Sequence, residues 1–274
     1  MSPLLFSIAL AGTDMSRLSP EQVYVMTCQT EVEALGEDWQ RVIDSWLACD
    51  AEAQRRELDS ARPLIRGRIA MAETLRDFGH LQEEDSLEFA KVLLAVAAQR
   101  RDVQMPFDDV RAAWLSVLQD PESRVNHEDV LSVTIRILPS PDLTEEAVAA
   151  LEEQLQRHIG DMGFKVPDSD VAESADSSIL IFLEPHFRVA QEGNLARTRL
   201  HATEVELKSQ PVRYKARDTK GPPLRATERA DYSDPEEALR VATDNAARSF
   251  AEQLMVQVVR EVYTDYELPP ARQP

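Results

Sequence analysis

Two histidines, His186 and His201, are the residues whose types and spacing come nearest to a chemical site. If Gly193-Asn194 forms the two-residue turn of a β-hairpin, the flanking strands pair so that His186 lies directly opposite His201. Residues that oppose each other in this way are about 5 Å apart, close enough for two imidazoles to share a metal ion or to titrate together. The alternative is two exposed histidines on a solvated sheet face. We predict no metal site, and we keep this pair as the candidate should one exist.

Basic side chains are concentrated in residues 197–229. This segment holds nine arginines and lysines and four acidic residues, a net charge of +5, whereas the rest of the chain carries a charge of −24. The asymmetry favours a docking surface for an anionic partner, either an envelope protein with acidic residues or an anionic cell-wall polymer. The alternative is that these residues protect solvated edge strands from aggregation. The residues predicted to bind a partner are Arg197, Arg199, Arg213, Lys215 and Arg217.

Cys28 and Cys49 are the only cysteines, and both lie on the apolar stripes of consecutive predicted helices. In a simple antiparallel hairpin centred on Gly36, Cys49 lies about one helical turn too far along to meet Cys28. A longer turn or a tilt between the helices would close that gap. We expect a disulfide if the protein is exported, because oxidising compartments keep such bonds and the cytosol does not. The alternative is two buried, reduced cysteines.

The common catalytic motifs are missing from the sequence. No two of its eight glycines are separated by a single residue, and it has no His-Glu-x-x-His, Cys-x-x-Cys or Gly-x-Ser-x-Gly pattern. A Ser–His–acid triad is assembled in space and has no such signature. We therefore predict no catalytic residue, no cofactor and no enzyme. A hydrolase built from scattered residues is the alternative.

Length and charge limit the class of protein further. The 274 residues suffice for one large domain or two ordinary ones, and 43% of them are hydrophobic, as in globular proteins. A net charge of −19 argues against nucleic-acid binding, which needs clustered cations. No segment is long and apolar enough to predict an integral membrane span. The composition therefore predicts an acidic globular protein whose oligomeric state is open.

The first residues resemble part of a targeting signal. Pro3–Ala11 is a short apolar run that ends in the small-x-small pattern of a signal-peptidase site. No Lys or Arg precedes it, and Thr13 stands where a lipoprotein processing site requires cysteine. We treat residues 1–18 as a candidate signal segment and expect a periplasmic or otherwise exported protein. An ordinary N-terminal strand in a cytoplasmic protein is the alternative.

Residues 19–119 have the periodicity of helices throughout. Ser19-Pro20-Glu21-Gln22 is a capping box, which predicts that the first helix begins there. A third helix is predicted from about Ala61 to Phe78, ending at Gly79. Five short-looped helices indicate a compact bundle. A polar linker, residues 120–129, is predicted to follow.

Residues 130–266 change to a mixed pattern. Val130–Leu138 alternates as a strand does, an amphipathic helix follows, and strand-like sequence then continues to about Arg229. The last helix starts at Asp234-Pro235 and carries a long apolar stripe. These elements predict an α+β fold, a helical bundle followed by a sandwich with two helices on one face of a mostly antiparallel sheet. The tail, residues 267–274, is predicted to be loose.

This order of elements resembles the small α/β module of several bacterial envelope proteins. The resemblance rests on Gly163-Phe164-Lys165-Val166-Pro167-Asp168 after the first helix and on an Ala175-Asp176 step into the long strand. The similar families are the activators of penicillin-binding proteins, the curli secretion lipoprotein and the amino-terminal domain of the Tol-Pal translocation protein, and about half the chain is covered. In those families the module binds other envelope proteins and catalyses nothing. The resemblance implies a non-enzymatic interaction or assembly factor of a cell envelope, with a cytoplasmic adaptor as the alternative.

Overall fold

The computed structural model of the chain describes residues 19–139, 144–167, 177–195 and 198–272. They form two compact units, one made of residues 19–114 with 262–272 and the other of residues 115–261. The first unit is helical and the second combines a sheet with helices, which confirms the predicted α+β fold class. Several features of the sequence lie outside the described residues: the candidate signal segment 1–18, Asp168, the Ala175-Asp176 step and Arg197.

Five helices follow one another in the first part of the chain. Their bounds are α1 Pro20–Glu33, α2 Trp39–Arg55, α3 Arg62–Glu84, α4 Ser86–Gln99 and α5 Phe107–Gln119. The predicted capping box is confirmed, since Ser19 Oγ accepts a hydrogen bond from Gln22 N at 3.2 Å and Ser19 N donates to Gln22 Oε1 at 3.0 Å. The prediction that α3 ends at Gly79 is wrong. A single glycine inside a helix costs only about 1 kcal/mol, and the chain instead turns at Asp85, whose carboxylate caps α4.

The C-terminal tail is held against this helical unit. Tyr266 Oη donates to Glu88 Oε1 at 2.6 Å, and Gln99 Nε2 donates to the carbonyl of Tyr266 at 2.8 Å. Further along, Arg272 N donates to the carbonyl of Asp77 at 3.0 Å. The tail predicted to be loose is therefore tied down at residues well beyond the last helix.

The segment predicted as a linker is helical. Its two short helices are α6 Pro121–Asn126 and α7 Glu128–Leu131. Asp120 starts the first of them, because its Oδ2 accepts a hydrogen bond from Ser123 N at 2.7 Å. Val130 and Leu131 are buried within α7, so the following strand begins at Val133 and not at Val130.

Within the described residues, the second unit is built on a six-stranded sheet. Its elements after α7 are β1 Val133–Ile137, α8 Glu145–Asp161, β2 Ile179–Leu195, β3 Thr198–Ser209, β4 Arg213–Tyr214, β5 Thr219–Lys220, β6 Arg225–Tyr232 and α9 Pro235–Tyr263. The strand order is β5-β4-β2-β3-β6, and β1 pairs with β2. The β1–β2 pair is parallel and the other four pairs are antiparallel, which makes the sheet mostly antiparallel as predicted.

One face of this sheet is apolar: Ile181 and Leu183 of β2 and Leu207 of β3 are fully buried there. The other face is mixed, since it carries Leu180 and Phe182 of β2 together with the charged side chains Glu204 and Glu206 of β3. The two helices bury complementary stripes on that face. The stripe of α8 is Leu151, Leu155 and Ile159, and that of α9 includes Ala242, Ala246, Phe250, Leu254 and Val258. The outward face of the sheet is therefore the one available to carry charge.

Candidate interaction surfaces

His186 and His201 do not face each other. The hairpin does not turn at Gly193-Asn194, because β2 continues to Leu195 and β3 begins at Thr198. In this register His186 lies opposite Glu206 on β3, and His201 pairs with Tyr232 on β6. Since His201 shares the face of Val205 and Leu207, whereas His186 lies on the outward face, the two rings are on opposite sides of the sheet.

The prediction that His186 and His201 face each other is therefore wrong, and the two residues do not form a candidate metal site together. Among the residues that the structure describes, no group of three or more His, Cys, Asp or Glu side chains is arranged to hold a metal ion. The physical cause is the register, since an odd shift along a strand moves a side chain to the other face.

The outward face carries cross-strand ion pairs. Arg225 Nε lies 2.6 Å from Glu206 Oε1, and Glu206 is itself 8% exposed. A longer cross-strand pair on the same face joins Arg188 to Glu204 at 3.9 Å, and along β6 itself Arg229 lies 3.0 Å from Asp231. Opposite charges on neighbouring strands stabilise a sheet. Arg225 and Arg229 therefore have carboxylate partners within the unit.

The basic hairpin, β4 with β5, lies against the C-terminal half of α9. Thr219 Oγ1 donates to Glu261 Oε1 at 2.9 Å. At Gly221, just after the hairpin, an added Cβ would lie 1.9 Å from Gln257 Nε2, so a larger residue here would displace the end of that side chain. Asp218, in the turn, has a φ of 49°, a conformation that Asp tolerates better than most residues. The hairpin is thus fixed in position relative to the helix.

Arg217 points back into the unit. Its Nε donates to Asp129 Oδ2 at 2.8 Å, and its Nη1 donates to the carbonyl of Glu261 at 3.1 Å. One side chain therefore links the turn of the hairpin, α7 and the end of α9. These contacts give Arg217 a structural role in addition to the partner contact predicted for it.

Arg213 has a different environment. Its guanidinium carbon lies 5.2 Å from the centroid of the Phe182 ring, and no carboxylate partner for it is found among the described residues. Lys220 lies directly opposite Arg213 on β5, and both side chains are exposed. Neither Lys220 nor Phe182 is among the residues that the sequence predicts to bind a partner. The four-residue turn, residues 215–218, was the signal that could have placed Lys220 beside Arg213.

Fewer contacts are described for the other residues predicted to bind a partner. Lys215 is exposed at the start of the turn, and its amide donates to the carbonyl of Ser178 at 2.9 Å. The backbone of Arg199 pairs with Asn194 in the hairpin of β2 and β3. The side chain of Arg199 and the whole of Arg197 lie outside the described residues.

Cys28 and Cys49 are joined by a disulfide with their Cα atoms 6.3 Å apart. The connection between α1 and α2 spans residues 34–38. Tyr24 Oη also donates to the carbonyl of Cys49 at 3.1 Å. The bond closes a loop of 21 residues between the first two helices.

A charged cluster joins α8 to α9. Asp244 Oδ1 lies 2.9 Å from His158 Nε2 and accepts a hydrogen bond from Arg157, while Arg248 lies 3.7 Å from Oδ2. Partial burial raises the pKa of Asp244, but the hydrogen bond from His158 and the charges of His158 and the two arginines outweigh it. The pKa of Asp244 is therefore lower than that of an ordinary aspartate.

Comparison with known proteins gives no assignment by sequence, since no family model and no curated protein matches the chain. None of the helices in the described ranges is long and apolar enough to cross a membrane.

Three solved structures resemble part of the chain. A minor lipoprotein from Acinetobacter baumannii is 12% identical with a TM-score of 0.32, over 46% of this chain and 93% of that one. A candidate lipoprotein from Caulobacter crescentus is 10% identical with a TM-score of 0.33, over 48% and 91%. A candidate homologue of the neuraminyllactose-binding hemagglutinin from Helicobacter pylori is 12% identical with a TM-score of 0.31, over 49% and 84%. At these identities and TM-scores the likenesses assign no function to the chain.

Proposed function

We propose that the protein is a non-enzymatic interaction factor of a bacterial cell envelope, exported and oxidised, whose second unit binds an anionic partner. The observation that carries this proposal is that one chain contains both a disulfide, in the first unit, and a basic hairpin, in the second. Each feature supports one half of the proposal, the compartment and the activity.

The disulfide supports export. Bonds of this kind persist in the periplasm and at cell surfaces, whereas cytosolic thiols are kept reduced. Cys28 is 3% exposed and belongs to the core formed by α1 and α2, together with Val32 and Trp46. Cys49 is partly buried against the same core. A bond that joins two helices through a buried cysteine is typical of a structural disulfide.

The basic hairpin supports binding. In a chain whose net charge is −19, an exposed group of cations creates a local positive potential that steers an anionic partner towards it. Arg213, Lys215 and Lys220 are all exposed on this hairpin. The contacts of the hairpin with α9 fix the backbone that carries these cations, which lowers the cost of ordering the hairpin on binding.

The proposal is tested by crosslinking in the native organism. Cell fractionation would locate the full-length protein, and mass spectrometry would identify its mature N-terminus. Its thiols would be labelled after denaturation without reductant. A photo-crosslinker at Thr219 would capture any partner, with one at exposed Leu47 of the helical unit as the matched control. We expect an envelope fraction, no free thiol and a partner captured from Thr219.

Two results would contradict the proposal. Cytosolic protein with two free thiols would instead favour an adaptor of the cytoplasm. Turnover of a substrate by the purified protein, lost together with a defined set of side chains, would favour a hydrolase.

A further inference from the structure

We infer that Arg213 and Lys220, opposed across β4 and β5, bind the side-chain carboxylates of an acidic segment of the protein partner. This inference rests on the proposed function and makes it more specific, because it names the residues and the chemistry of the partner. It also separates two arginines, Arg213 and Arg217, that belong to the same basic hairpin.

The arginines between residues 213 and 229 differ in whether a carboxylate lies beside them. Arg217 donates to Asp129, Arg225 lies 2.6 Å from Glu206, and Arg229 lies 3.0 Å from Asp231. For Arg213 the contact within the described residues is the ring of Phe182. Arg213 is therefore the arginine of this stretch whose charge no described carboxylate offsets.

The Phe182 ring lies close to the guanidinium group of Arg213, at 5.2 Å from its carbon to the ring centroid. A guanidinium over an aromatic face is attracted by the cation–π interaction, which does not require a hydrogen bond. The N–H groups of an arginine form a planar fork that matches the two oxygens of a carboxylate. Arg213 can therefore keep its contact with Phe182 while it binds a carboxylate.

Lys220 lies directly opposite Arg213 on the neighbouring strand. Like charges placed in this way destabilise a sheet. An anion between the two side chains would remove that repulsion.

The size of this site favours a protein segment over a polymer. Directly opposed side chains start about 5 Å apart, a spacing that suits one or two carboxylates of a short peptide. A polymer with a charge in every repeat would be bound by a longer row of cations. Along β6 the two arginines that could extend such a row, Arg225 and Arg229, already have carboxylate partners.

The experiment measures binding of the full-length protein to a fluorescein-labelled peptide of alternating glutamate and alanine, at low and at physiological salt. The test variant is Arg213→Gln with Lys220→Gln. The matched control is Arg229→Gln with Arg240→Gln, which removes the same charge from two exposed arginines that have carboxylate partners. Inorganic polyphosphate and phosphatidylglycerol vesicles are the competing probes, and urea unfolding verifies that both variants fold.

We expect the test variant to bind the peptide about tenfold more weakly or worse, because two charge-assisted contacts are lost. The control should bind within about twofold of the wild type, because exposed, paired arginines contribute little. Equal weakening in both variants would overturn the site and leave only an effect of net charge. No peptide binding by the wild type, or stronger binding of polyphosphate or vesicles, would overturn the choice of a protein segment.

Crosslinking in cells separates this inference from the proposed function. If the wild type and the Arg213→Gln, Lys220→Gln variant capture the same envelope partner equally well, the site is wrong while the envelope function stands. If the wild type is cytosolic and reduced, the proposed function fails whatever the peptide measurements give. Capture of an envelope partner by the wild type but not by the variant would support both the site and the proposed function.

Discussion

Arg217 Nε donates a hydrogen bond to Asp129 Oδ2 at 2.8 Å, and the same guanidinium reaches the carbonyl of Glu261 at 3.1 Å. The two acceptors belong to α7 and α9, so this side chain connects helices that are far apart in the sequence. Asp129 Oδ1 is buried without a hydrogen-bond partner in the structure, which leaves Arg217 as the main described donor to that carboxylate. The contact explains why the hairpin cations cannot all be treated alike.

The first prediction is that Arg217→Gln lowers the free energy of unfolding by about 1–3 kcal/mol, because a partly buried carboxylate loses its charged donor. Urea unfolding measures the change. Arg229→Gln is the control, since its pair with Asp231 is more exposed, and it should change the free energy by less than about 0.5 kcal/mol. Equal effects of the two variants would contradict a structural role for Arg217.

The second prediction concerns the core under the sheet. Phe250 is fully buried at the centre of the α9 stripe. Phe250→Ala should lower the free energy of unfolding by about 3–5 kcal/mol, through lost burial and the cavity that remains. Val125→Ala, at a side chain that is 64% exposed, is the control and should cost less than about 0.5 kcal/mol. A cost below about 1 kcal/mol for Phe250→Ala would show that this ring does not support the fold.

The third prediction is a loss of stability in acid that depends on Asp244. Because the folded state lowers the pKa of this carboxyl, the folded protein holds its proton less tightly than the unfolded chain does. The resulting stabilisation is fully present at pH values above the pKa of the carboxyl in the unfolded chain, about 3.9. It is lost as the pH falls from there through the lower pKa of the folded protein. Urea midpoints measured from neutral pH into this range should fall less steeply for Asp244→Asn than for the wild type. Asp218→Asn, at an exposed turn, should keep the wild-type slope, and a slope unchanged in Asp244→Asn would refute the role of the cluster.

The fourth prediction concerns the disulfide. Reduction should lower the stability of the oxidised protein by about 3 kcal/mol, the value that chain entropy gives for a loop of about this size. The comparison is urea unfolding with and without dithiothreitol. The Cys28→Ala, Cys49→Ala variant is the control, because its midpoint should not respond to the reductant. Two free thiols in protein purified from an envelope fraction would count against the bond.

The sequence was most informative where structure depends on near neighbours. The capping box at Ser19 fixed the start of α1, and the spacing of Phe250, Leu254 and Val258 defined the buried face of α9. Both signals act within a few residues, since a cap bonds the next turn and a helical stripe repeats along one element. The prediction that α3 ends at Gly79 was wrong, because a glycine inside a helix costs little free energy and packing overrides that cost.

Strand register could not be read from the sequence in the same way. A turn at Gly193-Asn194 was a reasonable local choice, but the strands pair on to Leu195 and Thr198, with a register shift between Ala190 and Gly193. Burial of one face decides such a register, and that depends on the helices that cover the sheet. This shift places His186 opposite Glu206 and on the other face from His201, whereas the pairing of β3 with β6 brings Arg225 to Glu206.

The sequence by itself determined that residues 197–229 are basic in a chain that is otherwise acidic, and that the second half alternates strands with two amphipathic helices. Only the tertiary structure decided which of these cations is paired inside the protein. Arg217 meets Asp129, 88 residues away in the chain, whereas Arg213, four residues earlier, meets the ring of Phe182. Both arginines have the same charge and similar neighbours in sequence. Their difference comes from the strand pairing and helix packing that bring a carboxylate to one and an aromatic face to the other, and contacts of such long range leave no local pattern in the sequence.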